Sequence, residues 1–204
     1  MDKKNLNVQI QEASFSLLNH GVIAFPTETV MGLGVVYNDK EAYDHLNFIK
    51  HRPDGHPYTM MLSSPDQIEK YAHVDSRSAK IIKAFMPGSI TLLLPVKDNV
   101  PEWVTHNTGV IGMRVPSNEE ALLLLKQIKL PLLVPSANRS GEKPALSSDE
   151  VKTIFGNELD YIIAGKSTSS VPSTIVDLTK SEIKIIRQGP ITMEQIKAVI
   201  NNDK

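Results

Sequence analysis

Residues 21–34 read GVIAFPTETVMGLG. The opening GVIAF is a short continuous apolar run, the signature of a strand buried on both faces. It then breaks into Pro26, two threonines, a glutamate and two glycines. Two readings of that break stay open at this point. The residues are those from which turns are built. They are also polar atoms delivered to a strand end, where ligands collect in open α/β sheets.

Outward from this stretch the pattern alternates. Leu6–Asn19 has a helical spacing and is followed by Gly21; Val30–Val36 reads as a second strand, weakened by glycine; Asp39–Ile49 reads as a helix with Ala42, Leu46 and Ile49 on one face. Tyr58–Leu62, Ile90–Val96, Val110–Val115, Leu130–Val134, Tyr161–Ala164, Ser173–Leu178 and Ile183–Arg187 read as strands. Between them fall a helix over Ser76–Phe85 and helix starts at Ser64–Gln67, Ser117–Glu120, Ser147–Glu150 and Thr192–Gln195, each with the spacing of a capping box. There is no linker, repeat or low-complexity tract. The expectation is a single α/β domain over residues 1–204 with a mixed sheet.

Composition sets the limits. The chain has 204 residues, 41% hydrophobic and 22% charged, enough for a packed core. It contains no cysteine, so disulfides, thiolate metal sites and cysteine nucleophiles are excluded. The N-terminal residues carry no apolar signal segment, and no run of about 18 apolar residues exists, so a cytoplasmic protein without a membrane span is expected. A net charge of −1 argues against a protein that coats nucleic acid through bulk charge.

Polar clusters follow several strands. Lys50 and Arg52 in IKHRPDGHP stand where a helix gives way to Pro53. They form either a basic helix end favoured by the macrodipole or a fork of fixed charge for a polyphosphate. PSANRSG, residues 135–141, offers the Ser136 hydroxyl and the Asn138 amide in a tight loop able to aim N–H groups at an anion. IIAGKST imitates a phosphate-binding loop, but Asp160 stands where its first glycine is required. The histidines, His45, His51 and His56 among them, have no paired ligand spacing, so no protein-built metal site is expected.

Seven stretches in order, FPTETVMGLG, IKHRPDGHP, MPGSITLLL, GVIGMRVP, VPSANRSGEKPA, SSVPSTIVDLT and IIRQGP, resemble the YrdC-type threonylcarbamoyl-AMP synthase family over about residues 21–190. The resemblance implies a twisted mixed β-sheet flanked by helices around a concave basic cavity. It implies a nucleotidyltransferase joining L-threonine, bicarbonate and ATP, with magnesium carried by the nucleotide, into threonylcarbamoyl-AMP and pyrophosphate. The product would feed proteins that transfer the threonylcarbamoyl group to adenosine 37 of tRNAs reading ANN codons.

On the same basis Lys50 and Arg52 are the expected catalytic pair at the ATP phosphates, with His56, Ser136, Asn138 and Arg187 on the nucleotide side. Thr27, Thr29, Arg114 and Ser173 are expected at the threonine. No general base is evident. Two departures stand out: Met31 where many members have tyrosine, and Met61 where many have histidine. The chain also resembles the short form, without the additional C-terminal domain of longer members. The rival expectations are an RNA-binding module of the same fold and a nucleotide-binding paralogue with another substrate.

Overall fold

The computed structural model of the chain describes residues 3–52 and 57–201. Its first helix, α1 (Lys3–Leu18), buries Ile10, Ala13 and Leu17 along one side. The backbone then reverses, with Gly21 N bonded to Ser16 O at 2.8 Å. β1 (Ile23–Phe25) runs antiparallel to β2 (Gly32–Val36) and parallel to β7 (Tyr161–Ile162). The remaining strands are β3 (Thr59–Met61), β4 (Ile90–Pro95), β5 (Val110–Arg114), β6 (Leu132–Val134), β8 (Thr174–Asp177) and β9 (Lys184–Arg187). Among the described residues these form one mixed sheet in the order β7-β1-β2-β6-β3-β5-β4-β8-β9. The mixed α/β sheet flanked by helices, read from the sequence, is what the chain adopts.

Two apolar layers sandwich the sheet, and strand alternation sorts residues between them. Ile23, Phe25, Val36, Leu132 and Val134 pack with α1 and with α5 (Glu119–Ile128). Ala24, Leu33, Val35, Met60 and Leu133 face the other way. That second layer also holds Leu46 and Ile49 of α2 (Lys40–Lys50), Ile68 of α3 (Ile68–Tyr71), Ile81 of α4 (Ser76–Phe85), Phe155 of α6 (Ser148–Phe155) and Ile196 of α7 (Met193–Asn201). Glycine is required where Phe25 crosses β2. A Cβ on Gly34 would lie 2.8 Å from the Phe25 ring, and one on Gly32 would lie 2.7 Å from Val134.

Three helix starts depart from the expectation. Ser64 makes no side-chain cap; Pro65–Gln67 is a 3-10 turn, and Gln67 Oε1 instead accepts from the N–H and hydroxyl of Ser63. α5 is capped by Asn118 rather than Ser117, its side chain accepting from Ala121 N. Ser147 does cap α6, but Glu150 reaches back to Leu146 N instead of closing the box on Ser147. Two reciprocal boxes do form: Asp75 with Ser78 at α4, and Thr192 with Gln195 at α7. No helix among the described residues is long and apolar enough to cross a membrane.

Candidate active site

A cavity of about 330 Å³, at the lower end of the range usual for small-molecule sites, opens on the α1/α5 side of the sheet, where Met61 and Val134 of that apolar layer form part of its wall. Seven stretches among those that meet there are the β1–β2 turn with Thr27 and Thr29, the segment after α2 with Arg52, β3 with Thr59 and Met61, Arg114 at the end of β5, Ser136 after β6, Ser173 just before β8, and Arg187 at the end of β9. Seven of the ten residues expected at the site therefore line one hollow. Lys50 and Asn138 stand outside its wall, and His56 lies outside the described residues.

The β1–β2 turn is held by its own hydroxyls. Thr27 Oγ1 donates to Val30 O at 2.7 Å and accepts from Thr29 N at 3.1 Å. Its proton is thus committed, so in the 3.0 Å contact between the two hydroxyls Thr29 is the donor. Thr29 Oγ1 in turn accepts from Arg114 Nη2 at 3.0 Å. The same nitrogen donates to Glu28 Oε1 at 2.6 Å, forming an ion pair whose side chains are 6% and 11% exposed. Glu28 was not singled out from the sequence. A carboxylate between two threonines that line the cavity was the signal, because a buried acid requires a cation.

α2 ends with His51 in the left-handed conformation (φ 49°), its N–H and that of Arg52 turned back to Phe48 O and Asn47 O. This reversal brings Arg52 to the cavity, where its guanidinium stacks on the Tyr58 ring, 4.3 Å from the centroid. Tyr58 is itself fixed, its hydroxyl donating to Asn47 Oδ1 at 2.7 Å.

Lys50 reaches to the loop after β6. Its Nζ donates to Ser136 O at 2.7 Å and Asn138 O at 2.6 Å, and the residue is 2% exposed. Burial, then the neighbouring Arg52 and Arg139 charges, pull its pKa down to about 7. Asn138 is likewise spent within the loop, donating to Arg139 O and Glu142 O and accepting from the Ser136 hydroxyl at 2.6 Å. Arg139, also unremarked in the sequence, caps Ile49 O, pairs with Glu158 and lies over the Phe155 ring. Ser140 N bonds Lys50 O at 2.9 Å. The basic segment and the PSANRSG loop are thus stapled to each other from both sides.

At the far wall Arg187 Nε and Nη2 donate to Ser173 O and Oγ, each at 3.1 Å. Ser173 Oγ also meets Thr91 Oγ1 at 2.9 Å. Desolvation, then repulsion from Arg114, lowers the Arg187 pKa, so these two cations feel one another across the cavity. Three arginines line the hollow, one of them, Arg114, paired with Glu28; the charge of that lining suits an anionic ligand. Among the described residues no group of three or more acidic, His or Cys side chains is placed to hold a metal. The described lining is rich in donors, which does not suit a bare divalent cation.

The profile of one family, described as telomere recombination, matches residues 16–189. The chain belongs to the Sua5/YciO/YrdC family. It is 35% identical over 181 residues to a Pyrococcus abyssi protein named threonylcarbamoyl-AMP synthase, covering 88% of this chain and 53% of that one. It superposes on P. abyssi Sua5 in complex with L-threonine with a TM-score of 0.88 at 34% identity, over 94% of this chain and 57% of that one. Escherichia coli YciO superposes with a TM-score of 0.86 at 30% identity, over 94% and 93% of the two chains. This chain thus spans about half the length of the Pyrococcus protein and nearly all of YciO.

Proposed function

We propose that this chain is a threonylcarbamoyl-AMP synthase acting on L-threonine, bicarbonate and ATP. The observation that carries the reading is the convergence of Arg52, Arg114 and Arg187 on one hollow that also presents Thr27 and Thr29. The named synthase among its relatives and the threonine-bound Sua5 structure support it. Arg114 takes the threonine carboxylate, with Thr29 and Ser173 beside it. Arg52 and Arg187 face the triphosphate, and Ser136 faces the nucleotide. Lys50 and Asn138 hold the loop that presents Ser136.

The threonine amine, having shed a proton, bonds the bicarbonate carbon with loss of water to give a carbamate; a carbamate oxygen then attacks the α-phosphorus while pyrophosphate leaves. Charge grows on the phosphoryl oxygens in the transition state, so fixed arginines stabilise it more than the ground state. Bringing three reactants into one hollow supplies a further share through orientation. Magnesium would arrive on the nucleotide. The product would pass, in the cytoplasm, to proteins that modify adenosine 37 of tRNA.

Pyrophosphate release by the purified chain with ATP, magnesium and bicarbonate, with and without L-threonine, tests this. Release that depends on threonine is expected; release indifferent to it rejects the substrate. One observation favours a second reading, a synthase-like paralogue with another acid substrate: Met61 puts an apolar, polarizable side chain on the cavity wall. Threonine-independent release stimulated by a different amino acid would select it.

A further inference from the structure

Thr27, Thr29, Tyr58, Thr59, Ser136 and Ser173 bring hydroxyls to the cavity lining. All but that of Thr59 are already bonded within the protein: Thr27 to Val30 and Thr29, Tyr58 to Asn47, Ser136 to Asn138, and Ser173 to Thr91 and Arg187. The Thr59 hydroxyl has no hydrogen-bond partner among the described residues, and Thr59 is only half-buried, so its oxygen is not sealed in as the unpartnered atoms of Glu28, Arg114 and Ser167 are. Strand alternation sends Met60 into the opposite apolar layer and turns Thr59 and Met61 towards the cavity. Met61 is apolar, so Thr59 Oγ1 is the one polar side-chain atom that β3 brings to the hollow. It leans towards β5: a Cβ on Gly112 would lie 3.5 Å from it and 2.8 Å from the Thr91 methyl. Gly112 has no side chain, so the space beside the hydroxyl stays open.

Thr59 stands between the two ends of the site. It follows Tyr58, on whose ring Arg52 lies, and pairs with Val134, two residues before Ser136. Two residues on is Met61, the register partner of Arg114. We infer that the Thr59 hydroxyl holds the bicarbonate, and then the carbamate made from it, between the threonine and the nucleotide. The inference rests on the synthase reading above and deepens it. The carbamate links the threonine nitrogen to the α-phosphorus, so its carbon must lie between Arg114 on one side and Arg52 with Ser136 on the other. The threonine carboxylate and the phosphates only accept hydrogen bonds, and arginines, which only donate, match them. Bicarbonate differs, because it carries an O–H as well as acceptor oxygens. A free hydroxyl can turn to accept from that O–H or to donate to an oxygen. Once the amine nitrogen has bonded the carbon and water has left, the same hydroxyl can donate to a carbamate oxygen. Thr59 moves no proton in this scheme; it binds and orients the one-carbon substrate.

Pyrophosphate release by the full chain in carbonate-depleted buffer, titrated with bicarbonate at saturating L-threonine and ATP, tests this on wild type, Thr59→Val and Thr59→Ser. Valine keeps the β-branched shape without the hydroxyl, and serine keeps the hydroxyl. Thr59→Val is expected to lower kcat/KM for bicarbonate about tenfold and to leave the KM values for threonine and ATP within about twofold of wild type. Thr59→Ser is expected to stay within about threefold of wild type towards bicarbonate. The Tm of Thr59→Val is expected to match that of wild type, because no hydrogen bond within the protein is lost; a destabilised or unfolded variant would make the hydroxyl structural and overturn the inference. An unchanged kcat/KM for bicarbonate in Thr59→Val overturns it, as does an equal loss towards all three substrates, a loss confined to threonine or ATP, or a serine variant as impaired as the valine one. Each of these leaves the synthase reading standing. A wild-type chain whose pyrophosphate release responds to neither threonine nor bicarbonate overturns that reading, and the inference with it.

Discussion

The Lys50 amino group lies 2.7 Å from the carbonyl oxygen of Ser136, joining the end of α2 to the loop after β6 across 86 residues of sequence. Removing it takes the lysine donor from the buried Asn138 carbonyl and leaves that of Ser136 with the Asn138 N–H at 3.0 Å. Lys50→Ala is expected to cost about 1–3 kcal/mol of stability and at least about tenfold in turnover. Chemical denaturation and pyrophosphate release measure the two losses. A variant with full stability and slow turnover would show instead that Lys50 acts on the substrate alone.

The depressed pKa of Lys50 gives stability a pH dependence of definite sign. The folded chain loses the Lys50 proton near pH 7, the unfolded chain near the ordinary lysine value of about 10.4. Between these the unfolded state binds more protons, so the Lys50 contribution to stability rises with pH. A neutral amine still carries two N–H groups, enough for both carbonyls. The Tm of wild type minus that of Lys50→Met is therefore expected to be larger at pH 9 than at pH 6.

Tyr58 orients Arg52 through its ring face and is pinned by Asn47. Tyr58→Leu is expected to raise the KM for ATP several-fold, the guanidinium having lost a contact worth about 0.5–2 kcal/mol. Arg52→Ala is expected to lower kcat/KM at least about tenfold, with Arg52→Lys restoring little because a lysine cannot stack or bind two oxygens in a plane. Steady-state kinetics of the three variants decides.

Gly34→Ala places a methyl group 2.8 Å from the buried Phe25 ring. Overpacking of this kind is expected to cost about 1–3 kcal/mol. Because the β1–β2 turn carries Thr27 and Thr29, threonine affinity is expected to fall with it. Thermal unfolding and titration on the same preparation check both effects.

Much of this was legible in the sequence, for identifiable reasons. Strands such as Ile90–Pro95 are apolar runs without competing signals, and Ser76–Phe85 was read to the residue because its apolar period and flanking breakers agree. Helix starts failed where two polar residues adjoin, as at Ser117–Asn118: either can cap, and the choice depends on which one the preceding chain leaves extended. Most of the motif residues came out around one hollow, several because they sit at strand ends. What they do there was less legible. Lys50 and Asn138 look like ligand groups in sequence, and the fold gives both a further task that no local pattern announces, bonding within and to the PSANRSG loop. Glu28 and Arg139 owe their roles to partners 86 and 19 residues away, Arg114 and Glu158, and no local pattern announces such pairings.

The outermost strand, β9, supplies Arg187, and its neighbour β8 begins beside Ser173, both on the wall of the hollow. During translation, residues 173–187 are among the last of the domain to leave the ribosome. A nascent chain has no complete wall until then, and long-range strand pairing is slow to form. On the proposed function, threonine or nucleotide would grip only a chain folded through β9 and would stabilise that state by mass action.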